Sequence, residues 1–87
     1  MLNFRQIEVF RAIMLTRTMS AAARMLRSSQ PGLSRMIKHL EGRLGFLLFD
    51  RVHGRLVPTV EANALFREIE HLHRGIENLE QIGRAHV

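Results

Sequence analysis

The sequence predicts a mainly α-helical fold, in which three short helices and a two-stranded hairpin are followed by one long helix. Apolar residues recur at helical spacing in four segments. Residues with strong capping preferences stand at the borders of these segments. The pattern changes to that of strands only between residues 46 and 59. With 87 residues, 46% of them hydrophobic, the chain has the size of one small domain with an appendage.

The first two helices are defined by their caps. Asn3 and Gln6 have the spacing of a capping box, which predicts a helix over residues 4–16. Its apolar stripe should lie in the core and comprises Phe4, Ile7, Phe10, Ile13 and Met14. Thr18 or Ser20 then caps an alanine-rich helix that reaches about residue 27.

The third helix is predicted over residues 29–44. Ser29 is a good N-cap, Pro31 suits the first turn, and Gly45 can end the helix in the left-handed conformation. One side is apolar and should pack on the domain: Leu33, Ile37, Leu40 and Leu44. The opposite side is polar and cationic: Gln30, Ser34, Arg35 and Lys38. A helix that packs on the domain by its apolar side and exposes such a polar, cationic side is suited to reading the DNA major groove.

The hairpin and the last helix follow. His53-Gly54 is the expected turn, because Gly54 can adopt positive φ. The hairpin should lean on the helices as a wing, which makes the whole a winged helix-turn-helix. Thr59 then caps a long helix to about residue 81. Its apolar residues alternate in steps of three and four and form a heptad seam: Ala62, Leu65, Ile69, Leu72, Ile76 and Leu79.

Charge is distributed unevenly along the chain. Residues 1–60 contain ten Lys or Arg and three Asp or Glu, whereas residues 61–87 contain three and five. Twelve of the thirteen cations are Arg, which binds phosphate and guanine through two parallel hydrogen bonds. The first part is therefore typical of a protein that meets a polyanion, and the last part is not.

The candidate DNA-binding residues lie in the third helix and the wing. Gln can bind adenine and Arg can bind guanine, while Ser hydroxyls suit phosphate oxygens. A cationic wing tip could contact the backbone or the minor groove. The candidates are Ser29, Gln30, Pro31, Ser34, Arg35, Lys38, Arg51, His53 and Arg55.

Other function classes are disfavoured. His71 and His73 lie two residues apart and hence on different faces of a helix, and no Cys is present to complete a metal site. Ser28, Ser29 and Ser34 have no nearby set of a base and a residue that orients it, so we expect no enzyme, no metal site and no cofactor. All five Phe occupy predicted core positions, which leaves no platform for stacking single-stranded bases. The longest apolar runs are four residues, which indicates no membrane span and a cytoplasmic protein.

These residues resemble a known family. The segments S-A-A-A-R-x-L, S-Q-P-x-L-S-R-x-I-K-x-L-E and L-G-x-x-L-F-x-R are similar to the N-terminal DNA-binding part of LysR-type bacterial transcription regulators. The resemblance implies base and phosphate contacts by Gln30, Pro31, Ser34 and Arg35, and wing contacts by Arg51 and Arg55. It also implies a linker helix that forms a homodimer, and a separate effector domain, absent here, that senses a small-molecule co-inducer. A full-length protein could further assemble as a tetramer.

We therefore expect a DNA-binding domain at residues 1–59 and a linker and dimerisation helix at residues 60–81. The dimerisation residues should be Leu65, Ile69, Leu72, Ile76 and Leu79. Residues 82–87, I-G-R-A-H-V, match an in-frame translation of a common sequencing adapter, so we expect a non-biological tail. Two alternatives stay open: a nonspecific architectural winged-helix DNA binder, and a coiled-coil protein-interaction module.

Overall fold

The structure, a computed structural model, describes residues 2–85. Its elements occur in the predicted order, which confirms the predicted fold class. They are α1 (Phe4–Thr16), α2 (Met19–Leu26), α3 (Gln30–Leu44), β1 (Phe49–Val52), β2 (Arg55–Pro58) and α4 (Val60–Ala85).

Side-chain caps set the helix starts. The amide of Gln6 donates to Asn3 Oδ1 at 2.8 Å, and the amide of Asn3 donates to Gln6 Oε1 at 3.0 Å, so the capping box is complete. Of the two candidates for α2, Thr18 is the cap, because its Oγ1 accepts from the amide of Ala21 at 3.1 Å. Each of these bonds satisfies an amide that has no partner within its helix.

The core lies between α1, α2 and α3, and the hairpin closes one side of it. Val9, Phe10 and Ile13 of α1 are fully buried. The rings of Phe10 and Phe49 lie 5.8 Å apart between centroids, so the first residue of β1 packs directly on α1. This packing supports a two-stranded sheet that would be marginal by itself.

Two predicted core positions are wrong. Phe4 is 78% exposed and Phe46 is 38% exposed. Phe4 is the first residue of α1 and Phe46 stands in the loop before β1, so both lie at the edge of the packed region. Of the five Phe residues, only Phe10 and Phe49 are buried in the core, and Phe66 is partly buried against it.

The hairpin has the predicted turn. Val52 pairs with Arg55, and His53 and Gly54 between them have φ of 50° and 77°. Positive φ at both central residues is the geometry of a type I′ turn, which matches the twist of the strands. The amide of Leu56 donates to the carbonyl of Arg17 at 2.9 Å, which ties the wing to the turn between α1 and α2.

Helix α4 begins as predicted and ends later. Thr59 Oγ1 accepts from the amide of Ala62 at 3.1 Å, but the helix runs to Ala85 and not to residue 81. Gly83 has no positive φ, so it does not provide a left-handed end. Of the expected non-biological tail, residues 82–85 continue the helix, and residues 86–87 lie outside the described part of the chain. No helix within residues 2–85 is long and apolar enough to cross a membrane.

Candidate nucleic-acid interface

Helix α3 shows the two sides that its sequence predicts. Leu33, Ile37 and Leu40 are buried in the core. The polar side faces outward: Gln30, Pro31, Arg35 and Lys38 are exposed, and Ser34 is half-buried. The N-terminal half of the helix is therefore a convex, polar surface that a groove could receive.

The first turn of α3 is tightly built around Ser29. Its Oγ accepts from the amide of Gly32 at 3.1 Å, and the residue itself is exposed. An added Cβ at Gly32 would lie 2.8 Å from that same Oγ. Glycine is thus favoured here by close approach to the cap, although it weakens the helix by its low propensity. The Ser29 hydroxyl hydrogen stays available for an outside acceptor.

The one carboxylate of α3 is used inside the domain. Glu41 Oε2 accepts from the amide of Leu48 at 2.7 Å and from that of Phe49 at 3.4 Å. Glu41 therefore secures the start of the hairpin, and as a half-buried residue it also lines the cleft beside the wing together with Lys38 and Arg51. This role could not be predicted from the sequence, because the bond joins α3 to the start of the hairpin and no local pattern links the two.

Arg51 of the wing comes together with α3. Arg51 pairs with Leu56, and side chains alternate along a strand, so Arg51 shares the inner face of the hairpin with Phe49. An open depression of about 460 Å³ is lined by Arg51 and by residues of the two helices, namely Met19, Gln30, Pro31 and Ser34. Met19 was not predicted as a site residue, and it is the one residue that α2 contributes to this lining.

The other wing candidates lie elsewhere on the hairpin. Arg55 pairs with Val52 and so lies on the opposite face from Arg51. His53 is exposed at the tip. Arg51 and Arg55 therefore cannot both lie beside α3.

A second set of basic residues adjoins the other flank of α3. Arg35, His39 and Arg43 follow one another at intervals of four residues, and they line an open depression together with Arg5 of α1. Arg5 and Arg43 were not predicted as site residues. The four-residue spacing of the three α3 residues is a signal that could have identified Arg43.

The predicted dimerisation residues divide into two groups. Ile69 is 6% exposed and Leu65 is half-buried, since both pack on the chain's own core. Leu72, Ile76 and Leu79 are 57%, 48% and 68% exposed. The outer part of the heptad seam is thus an unpaired apolar stripe within the described chain.

This stripe continues into a groove between α1 and α4. The groove has a volume of about 230 Å³, and its apolar lining residues are Phe4, Ile7, Ile69, Leu72 and Ile76. The exposure of Phe4 is explained by this position on an apolar surface shared by two helices.

An ion pair connects α1 to α4 beside the groove. Arg11 Nε donates to Glu70 Oε1 at 2.6 Å, with both side chains partly exposed. This hydrogen bond and the positive charges of Arg11, His73 and Arg74 hold the pKa of the Glu70 carboxyl below its usual value, against the opposing effect of burial. The pair joins α4 to α1 in addition to the packing of Ala62 and Ile69 in the core.

Among the described residues, no group of three or more His, Cys, Asp or Glu is placed to hold a metal ion.

Comparison with known proteins identifies the class of protein that this fold and surface define. Residues 4–63 match the family described as "Bacterial regulatory helix-turn-helix protein, lysR family". The chain belongs to this family.

Individual relatives agree. The "Regulatory protein NocR" of Agrobacterium fabrum is 44% identical over 82 residues, which are 94% of this chain and 27% of that protein. The "Transcriptional activator protein LysR" of Escherichia coli is 40% identical over 77 residues, 88% of this chain and 25% of that protein. The chain therefore spans about a quarter of the length of these relatives.

Solved structures show the same backbone. The protein in the crystal structure of a CbnR_DBD–DNA complex has a TM-score of 0.81 and 30% identity, with 97% of each chain covered. The protein in the BenM_DBD/catB site 1 DNA complex has a TM-score of 0.83 and 25% identity, covering 97% of this chain and 94% of that one. Both likenesses confirm the winged helix-turn-helix with its additional helix.

Proposed function

We propose that the chain binds double-stranded DNA sequence-specifically, as the DNA-reading part of a bacterial transcription regulator. Helix α3 enters the major groove, and the wing lies along the backbone or the minor groove. The observation that supports this most is the outward face of α3, on which Gln30, Arg35 and Lys38 are exposed and offer hydrogen-bonding and cationic groups. The relatives are named as regulators, and the CbnR and BenM structures are DNA complexes.

The roles divide by position on this face. Gln30 and Arg35 contact base edges, since their side chains can bind adenine and guanine with two hydrogen bonds each. Ser29 and Ser34 bind phosphate near the start of α3, where unpaired amides also favour anions. Lys38, together with Arg51 on the near side of the wing, binds the backbone. His53 lies at the wing tip and Arg55 on the face of the hairpin opposite Arg51, so both contact only DNA that extends past the wing tip.

We further propose a homodimer through α4. Its contacts are Leu72, Ile76 and Leu79, which have no partner within residues 2–85, together with the α1–α4 groove. Leu65 and Ile69 contribute from the edge of each domain. Two α3 helices related by a dimer axis would read half-sites about one helical turn apart, or a multiple of it.

The remaining properties belong to a longer protein. A co-inducer would act through an effector domain, and a tetramer would need that domain as well. The chain itself acts by binding and not by catalysis, in the cytoplasm where bacterial DNA lies.

Selection of bound duplexes from random DNA tests the proposal. We expect a defined motif with two related halves, and an affinity that falls with salt by a slope of about −0.9 per phosphate contact. Arg35→Ala should relax preference at one position of each half, whereas Arg74→Ala on α4 should leave the motif unchanged.

Other results would support the alternatives. Salt-dependent binding without a motif would indicate a nonspecific architectural binder. Absence of DNA binding, with self-association through α4 intact, would indicate a protein-interaction module.

A further inference from the structure

The flank of α3 that faces away from the wing carries basic side chains that the contacts proposed above do not use. Arg5, His39 and Arg43 line an open depression of about 460 Å³, next to Arg35 on the reading face. The other lining residues are Asn3, Gln6, Gly32 and Met36, so no carboxylate lines it.

Most of these basic side chains are accessible to a ligand. Arg35, His39 and Arg43 are exposed, and neither Arg35 nor Arg43 forms an ion pair within residues 2–85. Arg5 pairs with Glu8, Nη1 to Oε1 at 2.7 Å. A guanidinium has five donors, so this pair leaves Arg5 able to bind a second anion.

The spacing of these residues gives the surface a direction. Arg35, His39 and Arg43 form one row along α3, with about 6 Å of axial rise between neighbours. The row begins at a residue of the reading face and runs towards the C-terminal end of the helix. It lies across α3 from Ser34, Lys38 and Arg51, which line the cleft beside the wing.

The major groove is bounded by a phosphate backbone on each side. A helix inserted in it has two flanks, and each flank faces one strand. In the proposed complex, the wing with Arg51 contacts one of these two strands. We propose that Arg5 and Arg43, with His39, form a second phosphate-binding flank that grips the other strand.

This inference rests on the proposed function and adds residues to it. DNA phosphate fits better than an acidic protein partner because the row is continuous with Arg35. A duplex bound to the reading face would place its phosphates at this flank, so no separate binding surface is needed.

The salt dependence of Arg43→Gln tests the inference. Binding of the full chain is measured by fluorescence anisotropy on two probes: a duplex selected by the wild-type chain from random DNA, and a random-sequence duplex of equal length. For Arg43→Gln we expect the slope of log K against log salt to become shallower by about 0.9 per bound chain, on both probes. The ratio of the two affinities should stay unchanged, because a phosphate contact carries no sequence information.

Two variants serve as controls. Arg43→Lys keeps the charge and should restore the wild-type slope. Arg74→Gln removes the same charge from an exposed position of α4 and should leave the slope unchanged. Circular dichroism verifies that each variant keeps the wild-type helix content.

Three outcomes overturn the inference. A wild-type slope for Arg43→Gln would show that this flank does not touch DNA. A changed affinity ratio would make Arg43 a base-reading residue. An equal change for Arg74→Gln would reduce the effect to net charge. In each case the wild-type chain still binds its selected duplex, so the proposed function survives; loss of wild-type binding would contradict both.

Discussion

Glu41 shows how one residue can serve stability and function together. Its carboxylate accepts hydrogen bonds from the amide of Leu48, a residue that is fully buried, and from that of Phe49, and so holds the start of the wing against the helix that carries the reading face. A charged hydrogen-bond partner is worth about 1.5–3 kcal/mol when its loss leaves a buried amide unsatisfied.

We therefore expect Glu41→Ala to lower the free energy of unfolding by about 1.5–3 kcal/mol in urea denaturation. Glu41→Gln, which keeps an oxygen acceptor, should cost less. Glu68→Ala is the matched control, since Glu68 is exposed on α4 and should change stability by less than about 0.5 kcal/mol. Equal effects for Glu41→Ala and Glu68→Ala would contradict this role.

The turn of the wing depends on two residues with positive φ. Gly54 adopts φ of 77° without a steric penalty, while His53 adopts 50° with a Cβ. A left-handed conformation costs an ordinary residue about 1–2 kcal/mol, and Asn tolerates it better than most.

Substitutions at these neighbours should therefore act in opposite directions. We expect Gly54→Ala to destabilise the chain by about 1 kcal/mol and His53→Asn to stabilise it by a fraction of that amount. Denaturant unfolding measures both. Changes of the same sign would mean that the turn does not keep this geometry in solution.

At the level of elements, the ion pair between Arg11 and Glu70 links α1 to α4. The pKa of the Glu70 carboxyl is lower in the folded chain than in the unfolded chain. As the pH falls, Glu70 is therefore protonated at a higher pH in the unfolded chain than in the folded one. The stabilisation is complete above the ordinary Glu value of 4.5 and is lost as the pH falls through the lower folded pKa. Because both side chains are partly exposed, its size should be under about 1 kcal/mol.

Denaturation at pH 6 and pH 3 tests this link. The wild-type chain should lose more stability between the two values than Glu70→Gln, which has no carboxyl to titrate. Glu68→Gln, at an exposed position of α4 that forms no ion pair within residues 2–85, should behave like the wild type. A pH dependence that is identical in Glu70→Gln and wild type would rule out the pair as a determinant.

Most element boundaries follow from local chemistry. Asn3 with Gln6, Ser29 and Gly45 set the ends of α1 and α3 through bonds within four residues, so the sequence is sufficient to predict them. The failures depend on tertiary context. Phe4 lies on the helical stripe but beyond the reach of the core, and Glu41 finds its partner only after β1 is placed.

The candidate site divides in the same way. Its reading face could be predicted, because helical periodicity fixes which residues of α3 point outward. The opposite orientation of Arg55 follows from the two-residue turn and from strand alternation. The position of Arg51 beside α3 and that of Arg5 near Arg43 depend on how separate elements pack. No spacing in the sequence contains that information.

The whole molecule is elongated, with extents of 49 × 26 × 22 Å, because α4 has 26 residues and extends beyond the domain. Its outer apolar residues Leu72, Ile76 and Leu79 remain 57%, 48% and 68% exposed. An exposed heptad stripe gains burial by pairing with a second helix, at about 25 cal/mol per Å² of apolar surface removed from water.

Leu72→Glu should therefore separate assembly from folding. We expect a dimer for the wild-type chain and a monomer for Leu72→Glu by sedimentation equilibrium, with an unchanged circular dichroism spectrum, since Leu72 is 57% exposed in the single chain. Asn78→Glu adds the same charge off the seam and should remain dimeric. A Leu72→Glu dimer would show that the chains do not associate through this stripe.

The same variant determines how assembly affects DNA binding. A dimer engages two half-sites, and the second contact is made at a high effective concentration because the first already holds the chain nearby. Leu72→Glu should thus bind a duplex with two half-sites far more weakly than the wild type, and a duplex with one half-site about equally. If affinity for the single half-site fell as much, α4 would be supporting the fold of the reading domain and not the pairing of two such domains.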